Sequence, residues 1–176
     1  MTDRWDWSKT SGETIKEIVR ESEIYLQGQL TLAISADQRA SVMASVFAAA
    51  GAVIVAGLIT LVASDTTDFA PVFIGGAFSA MLFLVGAGMC VWATLPVGFD
   101  LPGGQPEDWK KDVETGTSLD GSLAEQAEHY QGKIEDNRKA LQKNAGRFQF
   151  GAISGIAAPF IGFLVWLFAT FFYSWA

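Results

Sequence analysis

Apolar residues in this chain are gathered into three long runs, and charges are kept out of them. The first run is Ala40 to Ala63, the second Phe69 to Leu95 and the third Phe148 to Ala176. None of them contains Asp, Glu, Lys, Arg or His. Each exceeds the roughly 20 residues that a helix needs to cross a hydrocarbon core of about 30 Å. A charge at the centre of that core costs about 2.5–3.5 kcal/mol even on the lenient insertion scale, so a bilayer demands this segregation. A soluble helix can be apolar all round if it is covered on every side. Three such runs in 176 residues leave too little chain to cover them. The pattern predicts an all-α integral membrane protein with three transmembrane helices.

The polar segments carry a second, weaker periodicity. Thr10-Ser11-Gly12-Glu13 fits a capping box, and Ile15, Ile18, Val19, Leu26 and Leu30 then lie on one helical stripe. No Pro or Gly separates Leu30 from the first span, so one helix is expected to enter the membrane from a cytoplasmic part about 40 Å long. Ser122-Leu123-Ala124-Glu125 fits a second box. Leu123, Ala127, Tyr130, Ile134 and Leu141 follow at heptad spacing, with Asn137 and Asn144 on the same seam. The expectation is two cytoplasmic helical stalks, continuous with the first and third spans and packed in parallel. The organisation reads as a stalk at 1–39, spans at 40–63 and 69–95 joined by a short external loop at 64–68, a cytoplasmic loop and stalk at 96–147, and the last span at 148–176. Between the stalks, Pro96, Pro102, Gly103, Gly104 and Pro106 break any long helix. A short helix from Pro106 to Val113 fits there, and Trp5, Trp7 and Trp109 suit headgroup depth.

Basic residues set the orientation. Arg4, Lys9, Lys16, Arg20 and Arg39 precede the first span. Lys110, Lys111, Lys133, Arg138, Lys139, Lys143 and Arg147 lie between the second and third. The positive-inside rule places both segments in the cytoplasm and the C-terminus outside. The chain reads as a multi-pass protein of the bacterial inner membrane. The residues up to Asp37 are polar, so no cleavable signal is expected and the first span stays as an anchor.

Charge and chemistry narrow the function. A net charge of −7 argues against a nucleic acid polymer as partner. The single cysteine, Cys90, sits in an apolar run and reads as a small core residue. His129 has Glu125 one turn before it, and one His with one Glu is too little for a metal site. There is no Walker loop, nucleophile elbow or HExxH, so neither a catalytic residue nor a metal or cofactor is expected. The spans also lack the buried acids, lysines or histidines of proton relays.

Helix packing is what the spans offer. Ala36, Ala40, Ala44, Ala48, Ala52 and Ala56 recur every four residues, and Gly151 and Gly155 form a GxxxG. Ala44, Ala48, Ala52, Ala56, Gly151 and Gly155 are the expected packing faces, because small residues let backbones approach. Asp37 and Arg39 mark the point where the first span enters the membrane. Lys139, Lys143 and Arg147 form a stripe suited to lipid headgroups or another anion.

The layout resembles that of small bacterial membrane effectors, the Pycsar-type transmembrane effectors and, more distantly, the SLATT-domain proteins. Ala36-Asp37-Gln38-Arg39-Ala40 is similar to the Ala-Asp-x-Lys-Ala sequence of such families, with Arg39 in place of the lysine. Leu123 to Arg147, a charged helix feeding a last span, is similar in kind. The resemblance implies self-assembly that impairs the inner membrane during phage infection, and admits a cyclic nucleotide as trigger. The expected partners are membrane lipids and further copies of the chain. The other expectation is an accessory subunit of a larger membrane complex.

Overall fold

The computed structural model describes residues 5–64 and 69–175. Residues 65–68, which make up most of the expected external loop, lie outside the described residues. Four helices carry the fold: α1, Gly12–Ala63; α2, Ala70–Ala93; α3, Lys110–Thr115; and α4, Leu119–Tyr173. Short 3-10 turns occupy Trp7–Lys9 and Pro106–Trp109. No strand occurs among the described residues.

Both expected capping boxes give way to neighbouring serines. Thr10 is extended, and its N–H closes the preceding turn on the Trp7 carbonyl. Ser11 caps α1 instead, its hydroxyl accepting from the Thr14 N–H at 3.2 Å, while Glu13 pairs with Lys16. Helix α4 begins a turn before Ser122. Gly116 ends α3 in the left-handed region at φ 67°, and the Ser118 hydroxyl accepts from the Gly121 N–H. Ser122 is thereby carried into the helix and buried.

The contacts divide the chain into two compact units. The first comprises residues 1–34 and 97–142. In it α1 and α4 run parallel, since Glu23 meets Tyr130 and Gln29 meets Ile134 as the numbering rises along both helices. Ile15 and Leu26 of α1 and Ala127, Tyr130 and Asn137 of α4 are buried. Full burial of a leucine such as Leu26 contributes about 1.5–3 kcal/mol.

The second unit comprises residues 35–96 and 143–176. Its core joins Ala44 and Phe47 of α1 to Ala87 and Cys90 of α2, with Met43, Phe83 and Phe148 against them. Helices α2 and α4 are antiparallel and share one register: Gly75 faces Gly162, Ser79 faces Ala158 and Gly86 faces Gly151. A Cβ on Gly86 would lie 2.9 Å from the Gly151 carbonyl oxygen, and one on Gly75 2.7 Å from that of Gly162. The backbones touch there because no side chain intervenes. Helix α1 is also antiparallel to α2, with Gly51 against Phe83 and Leu58 against Gly76.

Three of the four helices, α1, α2 and α4, are long and apolar enough to cross a membrane. Only 11% of the most apolar stretch of α1 is buried, and 22% of those of α2 and α4. Val53, Ile59, Phe160, Leu164 and Phe168 are each more than 60% exposed. Water penalises such a surface by about 25 cal/mol per Å², whereas lipid does not.

Candidate functional site

The alanine ridge of α1 does not stay on one side of its helix. A step of four residues turns about 400°, so each alanine is displaced by about 40° from the last. Ala40 and Ala44 are buried, while Ala48, Ala52 and Ala56 are exposed. The face that packs inside the chain runs instead through Ala44, Phe47, Gly51 and Leu58, in steps of three, four and seven as in a heptad. Gly151 and Gly155 are both buried. Gly151 meets α2, and Gly155 forms the notch filled by the Phe47 ring. The expected packing residues thus divide into an internal set, Ala44, Gly151 and Gly155, and an outward set, Ala48, Ala52 and Ala56.

One hydroxyl reinforces the α2–α4 seam. Ser79 is buried and donates to the Ala158 carbonyl at 2.7 Å. Beside it, Pro159 lies inside α4 and has no N–H to return to Gly155.

Asp37 and Arg39 do not act together. Two residues apart, they leave the helix on opposite sides. Arg39 folds back, its Nε donating to the Ser35 carbonyl at 3.2 Å. Partial loss of water raises the Asp37 carboxyl above its usual range.

The basic stripe also divides. Lys139 donates to Asp136 at 2.9 Å, and that hydrogen bond and its charge raise the pKa of the ammonium. Lys143 is exposed and has no partner among the described residues. Arg147 stacks on Trp92, its guanidinium carbon 4.6 Å from the ring centre.

The first unit holds a polar network that sequence periodicity did not reveal. Its centre is Tyr130, 1% exposed, whose hydroxyl donates to Glu23 at 2.7 Å and accepts from the Gly103 N–H at 3.1 Å. Burial and, second, the bond to Glu23 raise the Tyr130 pKa. Lys133 donates to the carbonyls of Leu101 and Gly103, and Trp7 Nε1 donates to Glu128. The heptad seam had placed Tyr130 and Asn137 inward, but their partners sit in the irregular segment after α2, where no period operates. Nearby, His129 and Glu125 line an open polar groove of about 340 Å³ with Trp109 and Lys111. No group of three or more His, Cys, Asp or Glu among the described residues is placed to hold a metal ion.

The fold defines a class: an all-helical chain with three helices long and apolar enough to span a bilayer. Comparison with protein-family models, with curated proteins and with solved structures gives no match.

Proposed function

We propose that this chain is a non-enzymatic protein of the bacterial inner membrane that acts by helix–helix association. Its N-terminus and the segment 96–147 lie in the cytoplasm, where residues of α1 and α4 form stalks, and its C-terminus lies outside. All twelve basic residues then share one side. The observation that carries the association is the outward set Ala48, Ala52 and Ala56. These leave a smooth strip on α1 in the unit whose α2–α4 seam is already closed by Gly75, Gly86, Gly151 and Gly162. In lipid such a strip gains by meeting another backbone closely, because dispersion replaces the missing hydrophobic force.

The assembly so formed is a self-associating membrane effector of a stress or anti-phage response, as the Asp37 to Arg39 resemblance suggests. Its partners are membrane lipids and other copies of the chain, with a cyclic nucleotide as the trigger that resemblance allows. The test is Ala48→Leu. The chain should fold as before, since residue 48 is exposed, and the homo-oligomer in lipid nanodiscs should dissociate. An unchanged oligomer would remove this face from the account.

A second reading, an accessory subunit of a larger membrane complex, is favoured by the end of α4. Phe168, Phe171 and Phe172 there, and Trp175 just after the helix, are all at least 66% exposed. Four large aromatic side chains on one helix end suit a neighbouring subunit, where aromatic residues concentrate binding energy.

A further inference from the structure

The end of α2 and the start of the last apolar run meet in one ordered arrangement. Trp92 stands next to the final residue of α2, Ala93, where backbone carbonyls run out of intrahelical donors. Arg147 of α4 lies over its ring, and the cation also suits the negative end of the α2 dipole. Arg147 Nη1 donates to Asn144 Oδ1 at 3.1 Å and makes a longer contact of 3.5 Å with the Trp92 carbonyl. Both protons of Nη1 are thereby directed at protein. The opposite edge of the guanidinium, formed by Nε–H and Nη2–H, meets no acceptor among the described residues.

That free edge has a defined chemistry. Its two parallel N–H groups match two oxygens of one phosphate, and a planar group held by a ring and an amide loses little freedom when it binds. Lys143, one turn earlier on the same face of α4, adds an exposed second cation. The apolar runs adjoin these residues: Val91, next to Trp92 on α2, is 52% exposed, and Phe150, three residues after Arg147 on α4, is 56% exposed. A phosphate with acyl chains attached fits this sequence of surfaces; a soluble phosphate leaves the apolar part unused.

We infer that Arg147, oriented by Trp92 and Asn144 and assisted by Lys143, binds the phosphate of an anionic phospholipid at the membrane face where α2 ends. The inference rests on the membrane reading above and adds to it a lipid preference with a located site.

The full chain is reconstituted in vesicles of phosphatidylcholine and phosphatidylglycerol, and the lipids that remain bound are counted by native mass spectrometry. Wild type should retain phosphatidylglycerol in preference to phosphatidylcholine. Arg147→Gln should lower that preference about fivefold, the effect of one charge at a membrane surface. Arg147→Lys should fall nearly as far, because an ammonium lacks the fork. Lys143→Gln, which leaves the Trp92 stack in place, should lower it as well. An Arg147→Lys protein equal to wild type would overturn the fork, and an unaltered Arg147→Gln protein would overturn the site. Displacement of the bound lipid by inorganic phosphate alone would assign the site to a soluble anion and overturn the lipid assignment. Flotation of the same vesicles separates the two readings. Wild type that fails to float contradicts the membrane reading itself; wild type that floats without lipid preference contradicts only this site.

Discussion

The side-chain amide of Asn137 closes two hydrogen bonds on the backbone of Asp100. Asn137 Oδ1 accepts from the Asp100 N–H at 2.8 Å, and Nδ2 donates to the Asp100 carbonyl at 2.9 Å. Asn137 is wholly buried. One residue of α4 therefore satisfies both polar groups of a residue in the irregular segment that follows α2, as a neighbouring strand would.

Removing that amide should loosen the segment. Asn137→Ala leaves the Asp100 N–H and carbonyl without their partner, at a cost of about 1–3 kcal/mol. Hydrogen exchange at the Asp100 amide should accelerate, while amides in the middle of α2 stay as they are. Unchanged exchange at Asp100 would show that the two bonds do not hold the segment.

Tyr130 gives the first unit an alkaline limit. Its folded pKa is raised by burial and by Glu23, above a free phenol value of about 10. Below pH 10 or so the phenol is neutral in both states, and its contribution is complete. As pH rises past that value, the unfolded chain releases the proton first, so stability declines until the folded pKa is passed. Thermal melts from pH 8 to 11 should show the decline in wild type, and Tyr130→Phe should flatten it. Equal slopes in the two proteins would contradict the assignment.

The α2–α4 seam should tolerate no side chain. A Cβ on Gly151 would stand 2.8 Å from the Gly86 carbonyl oxygen and 2.9 Å from Cys90 Sγ, so the helices would have to part. Gly151→Ala should destabilise by about 1–3 kcal/mol, the usual cost of overpacking. Gly88→Ala is the control, because nothing lies within 4 Å of its added carbon. Thermal unfolding in detergent micelles compares the two; equal midpoints would contradict the close contact.

Ser79→Ala removes the bond to the Ala158 carbonyl while keeping the volume nearly constant. A loss near 0.6 kcal/mol is expected, the average for such bonds between membrane helices. A double-mutant cycle with Gly75→Ala, whose added carbon would meet the Gly162 carbonyl and Trp166 and not Ser79, tests whether the bond and the adjacent Gly75–Gly162 contact act as one seam. Additive losses would make them independent.

How far the sequence could be read depended on whether a period applied. The three apolar helices follow from runs free of charge, because that signal is set by length alone. The inward positions of Ala127, Tyr130 and Asn137 follow from a seam whose spacing matches two parallel helices. The alanine ridge divides because its four-residue repeat drifts around the helix, so Ala48, Ala52 and Ala56 leave the face that Ala44 occupies. The capping serines were missed because Ser11 stands next to Thr10 and Ser118 one turn before Ser122, and only the backbone decides which hydroxyl meets the first free N–H groups. The Trp92–Arg147 stack joins residues 55 positions apart, and no local pattern connects them. In the sequence Arg147 stands out only as part of a basic stripe.

Native mass spectrometry of the protein, drawn gently from its own membrane at natural expression level, tests the central claim of self-association most directly. Self-association predicts a series of identical copies with bound lipid and no other subunit. A fixed set of different membrane subunits, with one copy of this chain among them, would contradict it and make this an accessory chain of that complex.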